Sequence, residues 1–268
     1  MIKINETNIK KAKQYYKDNI IKYIKAYHSN IADEFLLYSC DKMIKDKKDK
    51  NKFNLEKCYK DFRKTDICYE FAELFGIKTC PYCNENFAYT RESDKKVQFQ
   101  FDHFLPQKDY PQFAMNFYNL IPSCSYCNQI KNTKKGHIIY PIEESFDDIM
   151  KFEIIPLNTS IKNKNDFNID FREKTNGKKE LLDKAKNSIK IFKLIERYHE
   201  HKDIALEIIC RKFLYTEEFT EEIKRKLCNS GFDCDIDRII YANYTSKYDI
   251  NNRPFSKLTR DILNIFKK

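Results

Sequence analysis

Two cysteine pairs, Cys80-Pro-Tyr-Cys83 and Cys124-Ser-Tyr-Cys127, constrain this chain more than any other feature. Two Cys-x-x-Cys pairs supply four thiols, enough to enclose one zinc ion tetrahedrally. An ion closed in this way ties down the chain between the pairs. It also replaces the core that a unit of ~60 residues could not build alone. Four thiolates leave no coordination position for water, so the Zn2+ expected at Cys80, Cys83, Cys124 and Cys127 is structural.

The clipped segment carries chemistry. It contains Phe101-Asp102-His103-Phe104-Leu105-Pro106, then Asn119-Leu120, and its second pair runs straight into Asn128. An imidazole with a pKa of about 6.5 is neutral and basic at cellular pH. The carboxylate of Asp102 and the amide oxygen of Asn128 are hard donors of the kind Mg2+ prefers. A base beside hard-metal ligands is the equipment of a metal-dependent phosphodiesterase.

The rest of the sequence sets bounds. The chain has 268 residues, 41% of them hydrophobic, with 21 Phe and 18 Tyr, so it can bury a substantial core. Only 4 Gly and 7 Pro occur, which argues against a sandwich, a propeller or a disordered chain. The net charge of +10 favours a polyanionic partner, although a composition heavy in Lys, Asn and Ile also follows from an AT-rich genome. No apolar run approaches the ~20 residues needed to span a bilayer, and the first residues lack a signal-peptide core. A cytoplasmic protein with reduced thiols and no membrane partner is therefore expected. The other cysteines (Cys40, Cys58, Cys68, Cys210, Cys228 and Cys234) are expected to pack as small apolar residues. His28, His137, His199 and His201 read as ordinary polar residues. The spacing of two between His199 and His201 puts them on different helix faces.

Apolar spacing predicts an amphipathic helix over 7–28, a second over 31–44, a solvated charge run over 45–52, and a third helix over 54–75 broken near Thr65 and closed by Gly76. Within the clip, a knuckle at 79–84 precedes two strands, 87–91 and 97–102, joined by a polar turn. A short helix follows from 126 to about 131, closed by Gly136. Extended segments are expected at 152–156 and 167–171, helices over 178–229, and a last helix over 255–266. The fold class is α+β, a mostly helical scaffold with an inserted zinc-stabilised unit. The regions are 1–76 (helical), 77–140 (zinc-clipped) and 141–268 (mainly helical).

The set Cys80, Cys83, Asp102, His103, Pro106, Asn119, Leu120, Cys124, Cys127, Asn128 and Lys131 resembles the HNH endonuclease family, in the subgroup whose ββα-metal motif sits in a treble-clef zinc site. The resemblance implies a general-base role for His103. It implies that Asn119 accepts a hydrogen bond from the His103 ring or supports its backbone. Asp102 and Asn128 would hold one catalytic Mg2+ or Mn2+, Asn132 would be an outer partner of that ion, and Lys131 would meet the phosphate. The third motif position is Asn128 where the family's name has His, which favours Mg2+. The longer phrases around Asp102 and Cys124 resemble the HNH subunit of Septu-type and retron-associated anti-phage systems. That likeness implies a nuclease working beside an ATPase, which must be a separate protein because this chain has no G-x-x-x-x-G-K-[ST] loop. DNA is the expected substrate, with RNA or tRNA as the alternative. A stand-alone modification-dependent restriction enzyme is the second reading, and a zinc module that only binds nucleic acid is the third.

Overall fold

The computed structural model describes residues 1–46, 53–134, 137–174, 178–232 and 235–266. The chain is α+β. One hydrophobic cluster draws on its whole length, from Met1 through Phe71, Phe117 and Phe152 to Leu263.

The N-terminal region opens with α1 (Glu6–Tyr15), which passes through a π turn at Tyr16–Ile20 into α2 (Ile21–Lys25). Asn5 caps it by accepting from the amides of Thr7 and Asn8, satisfying N–H groups that have no partner inside the helix. Its inner stripe, including Ile9, Ala12, Tyr16, Ile20 and Ile24, is buried. The Tyr16 hydroxyl donates to the Met115 carbonyl, and its ring meets Phe117 edge-on at 5.5 Å. The first helix is thereby seated against the loop that carries the site.

The single helix expected over 31–44 is absent. A 3-10 turn (Phe35–Leu37) and a short α3 (Cys40–Lys45) stand there instead. The Ser39 hydroxyl accepts from the Lys42 amide, so a local cap competes with helix continuation. The charge run at 45–52 lies largely outside the described residues. The break near Thr65 is present: α4 (Glu56–Phe62) and α5 (Asp66–Glu73) are separate, and the Thr65 hydroxyl caps α5. Gly76 follows at φ +57, where an added Cβ would collide with the Asn8 amide.

Strand pairing in the clip differs from expectation. β1 (Thr90–Arg91) and β2 (Lys96–Val97) form only a short hairpin. The strand that carries the motif, β3 (Gln100–His103), pairs antiparallel with β4 (Leu120–Ser123), with Asp102 opposite Ile121 and His103 opposite Leu120. Leu120, Ile121 and Pro122 are all buried, so this run gains more by lining β3 than by serving as loop. α6 (Ser125–Lys131) follows at once and completes a ββα unit. It ends at Asn132 with φ +44; the expected terminator Gly136 lies outside the described residues.

α7 (Phe146–Ile149) leads into β5 (Met150–Pro156), which pairs along seven residues with β6 (Phe167–Glu173). Phe152, Ile154, Phe167 and Ile169 supply the buried face. The C-terminal helices are α8 (Lys179–Phe192), α9 (Leu194–His199), α10 (Lys202–Leu214), α11 (Glu217–Asn229), α12 (Ile236–Tyr241) and α13 (Ser256–Ile265). No described helix is long and apolar enough to cross a membrane. α13 brings a buried lysine into the core. Lys257 donates to Asp147 at 2.8 Å, to Asp261 at 2.6 Å and to the Met150 carbonyl at 2.9 Å, which uses all three of its hydrogens.

Candidate active site

Cys80, Cys83, Cys124 and Cys127 converge: all four sulfurs lie within 4.8 Å of one another, and all four residues are buried. Cys83 and Cys124 stand 4.0 Å apart. Sulfurs about 2.3 Å from a tetrahedral zinc ion are separated by roughly 3.8 Å, so the quartet fits Zn2+. The fit is reinforced from outside. The amide of Cys127 donates to the Cys124 sulfur at 3.4 Å, and that of Glu85 to the Cys83 sulfur at 3.5 Å. Arg197 of α9 donates to the Cys127 sulfur at 3.3 Å and pairs with Glu85. A zinc ion with four thiolates carries a net charge of −2, and this buried guanidinium opposes it. Asn84 turns the knuckle at φ +53, a conformation Asn tolerates better than most residues. Its side-chain amide donates to the carbonyls of Ile250 and Arg253, and its side-chain oxygen accepts from the Lys257 amide.

Beside the clip opens a cleft of about 480 Å³ lined by Asp102, His103, Lys108, Asn128, Asn132 and neighbouring residues. Successive strand residues face opposite sides, yet Asp102 and His103, the last two residues of β3, both border this cleft. His103 Nε2 is 2.9 Å from the Ala114 carbonyl. A carbonyl only accepts, so Nε2 carries the hydrogen and the lone pair sits on Nδ1. The Tyr59 ring packs edge-on against the imidazole at 4.5 Å. Burial pushes the His103 pKa down to about 4, against smaller upward pulls from the Ala114 bond and Asp102. The group is a neutral imidazole at pH 7.

Asp102 is clamped on both oxygens. Lys131 donates to Oδ1 at 3.0 Å and the Tyr82 hydroxyl to Oδ2 at 2.8 Å. A carboxylate has about four acceptor sites, so each oxygen keeps capacity for a metal. Asn128 uses its Nδ2 to donate to Gln100, which leaves Oδ1 as its acceptor. A carboxylate and an amide oxygen bordering one wet cleft fit a hard divalent ion that retains several waters.

Residues 80–134 match the family described as HNH endonuclease. They are an HNH endonuclease domain. A 65-residue stretch of the chain is 38% identical to Septu protein PtuB of Bacillus thuringiensis, covering 23% of this chain and 23% of that protein. The likeness thus spans well under two thirds of the relative. No solved structure matches the chain.

Of the two HNH-domain residues whose surroundings the resemblance left most open, Lys131 sits away from its expected place and Asn119 bonds to backbone, one of its two expected roles. Lys131 does not face phosphate. It is 1% exposed and spends its ammonium on Asp102 Oδ1 and, at 2.7 Å, on the His103 carbonyl. Its position one turn after Cys127 turns it beneath β3, away from solvent. Asn119 is fully buried and does not touch the His103 ring. Its Oδ1 accepts from the Leu105 amide at 2.7 Å, and its Nδ2 donates to the carbonyls of Leu105 and Phe113. It ties the segment after His103 to the segment holding Ala114, so it supports the backbone on both sides of the imidazole.

The sequence reading missed Lys108, the exposed lysine that does line the cleft. Its place five residues after His103, in the Pro-Gln-Lys loop, was the available signal. It also missed Tyr82 and Arg197, whose partners lie 20 and 70 residues away. His28 and His199 contact backbone carbonyls, whereas His137 and His201 face glutamates. Cys40, Cys58 and Cys68 are buried as expected, but Cys210 and Cys228 are exposed. Both belong to helices whose outer faces nothing covers among the described residues. Cys234 lies outside the described residues.

Proposed function

We propose that this chain is the nuclease component of an anti-phage defence assembly and that its HNH domain hydrolyses DNA phosphodiester bonds. His103 acts as general base, accepting the proton of the attacking water at Nδ1. The Ala114 carbonyl fixes the tautomer, and Asn119 holds the two backbone segments that set the ring's position. Asp102 and Asn128 hold one Mg2+ or Mn2+. The chemistry such an ion supplies when bound is neutralisation of charge on the phosphate and on the departing 3′-oxygen. Zn2+ at the four cysteines is structural.

The observation that carries this reading is the shared cleft: His103, a neutral imidazole with Nε2 on the Ala114 carbonyl, borders the same space as Asp102 and Asn128. The net charge of +10 suits a polyanionic substrate. Support for the defence role comes from the likeness to Septu protein PtuB. The chain has no P-loop motif, so nucleotide control would come from a separate ATPase docked on the helical regions.

The test is purification of the chain alone and with the product of its adjacent gene, followed by cleavage of linear duplex, plasmid and tRNA in Mg2+ or Mn2+. His103→Ala is expected to slow cleavage by about 10²–10⁴-fold with folding and zinc content retained. Equal cleavage by that variant removes His103 as base. Cleavage of tRNA alone removes DNA as substrate.

A further inference from the structure

We infer that Tyr82 is a positioning residue for the catalytic metal, coupling closure of the zinc clip to the orientation of Asp102. The inference rests on Asp102 being a metal ligand. Tyr82 lies between the two cysteines of the first pair, and its ring is buried. Its hydroxyl reaches Asp102 Oδ2 at 2.8 Å. The ring lies flat against Phe192 of α8, with centroids 4.6 Å apart and an interplanar angle of 22°. A stacked, buried ring cannot turn its hydroxyl elsewhere without losing that packing.

A carboxylate on a strand end can rotate about its last bond, since such torsions are soft. Here rotation is blocked from two sides. Lys131 fixes Oδ1 and Tyr82 fixes Oδ2, so the remaining lone pairs of both oxygens point in set directions. Both donors belong to the clip: one sits inside the first cysteine pair, the other four residues beyond the last cysteine. Asp102 is therefore aimed only when the two pairs are drawn together. The hydroxyl of Tyr82 is neutral, so it orients the carboxylate without the electrostatic cost to metal binding that the Lys131 ammonium imposes. Groups that hold a metal ligand from behind commonly change metal affinity by about 10–100-fold when removed.

The test is Mn2+ binding to the zinc-loaded full chain without nucleic acid, by calorimetry and by electron paramagnetic resonance. Tyr82→Phe keeps the ring and deletes only the hydroxyl. The expected result is a Kd for Mn2+ raised about tenfold, with one zinc retained per chain. A Kd within twofold of the parent overturns the inference and leaves Tyr82 a packing residue. Asp102→Ala separates this from the underlying reading. If Asp102→Ala binds Mn2+ as the parent does, Asp102 is not a ligand, and both readings fall. If it loses Mn2+ while Tyr82→Phe does not, only the positioning role falls. Should Tyr82→Phe lose zinc, Phe192→Leu decides, because it loosens the ring and spares the hydroxyl: a several-fold weaker Mn2+ affinity supports the role, and an unchanged one overturns it.

Discussion

Replacing Lys131 with methionine isolates the buried charge pair on which Asp102 depends. The two charged groups are 3.0 Å apart and their side chains are 1% and 3% exposed. At that distance and an effective dielectric of about 20, two unit charges attract by roughly 5–6 kcal/mol. Desolvation cancels much of this when both charges are present. It does not cancel when one is removed, because the other stays buried without its counter-charge. Methionine fills nearly the same space, so little of the effect comes from packing. Loss of one partner of a buried pair costs about 3–5 kcal/mol. For a domain of about 150–250 residues, 1 kcal/mol moves the melting midpoint by roughly 2–4 °C, so Lys131→Met should melt roughly 6–20 °C lower. The assay is thermal unfolding of the zinc-loaded protein for Lys131→Met, Asp102→Asn and the double variant. Asp102→Asn removes the stranded charge, so the double variant should be more stable than Lys131→Met alone, giving a coupling energy of a few kcal/mol. Mn2+ should raise the midpoint of Lys131→Met more than that of the parent, since a bound cation replaces the missing one. The reasoning is refuted if Lys131→Met melts within about 2 °C of the parent, or if the double variant is no more stable than Lys131→Met.

Lys108→Ala should weaken binding of duplex DNA and reduce the slope of log K against log salt by about 1, as expected for one lost phosphate contact. Titration of a catalytically inactive His103→Ala background at several salt concentrations checks this, and an unchanged slope removes Lys108 from the interface. Asp147→Asn tests the second buried network. Burial pushes the Asp147 carboxyl up, but Lys257 and Arg260 outweigh it and hold the group below the usual carboxylate range. A carboxyl whose pKa falls on folding adds stability that is complete above its unfolded value near about 3.9 and is lost as pH drops through the folded value. Asp147→Asn should therefore be less stable than the parent by about 3 kcal/mol at pH 7, with the gap starting to close below about pH 4. Denaturation between pH 3 and pH 7 reads this directly, and a gap that does not depend on pH contradicts it.

What the sequence made legible is what neighbours along the chain decide. Cysteine spacing defined the clip, Thr65 marked the helix break, and the step from Cys127 to Asn128 placed an amide within α6. Choices settled by distant partners were not legible. A buried run at 120–123 displaced the expected hairpin partner of β3. Lys131 reads as one more exposed lysine in a basic chain until β3 is laid over it. Asn119 could bond a ring or a backbone, and only the folded loop decides between them. The boundaries drawn at 77 and 140 show the same limit. Hydrogen bonds cross both of them. Asn84 in the zinc knuckle is satisfied by Ile250, Arg253 and Lys257, and Cys127 is met by Arg197. Tyr82, which aims Asp102, is stacked on Phe192. An excised 77–140 segment would keep every motif residue and lose these supports, leaving Asn84 and Cys127 to water and Tyr82 without the ring that packs against it. The clipped unit thus encloses the chemistry, whereas the rigidity that chemistry requires is supplied by helices more than fifty residues downstream.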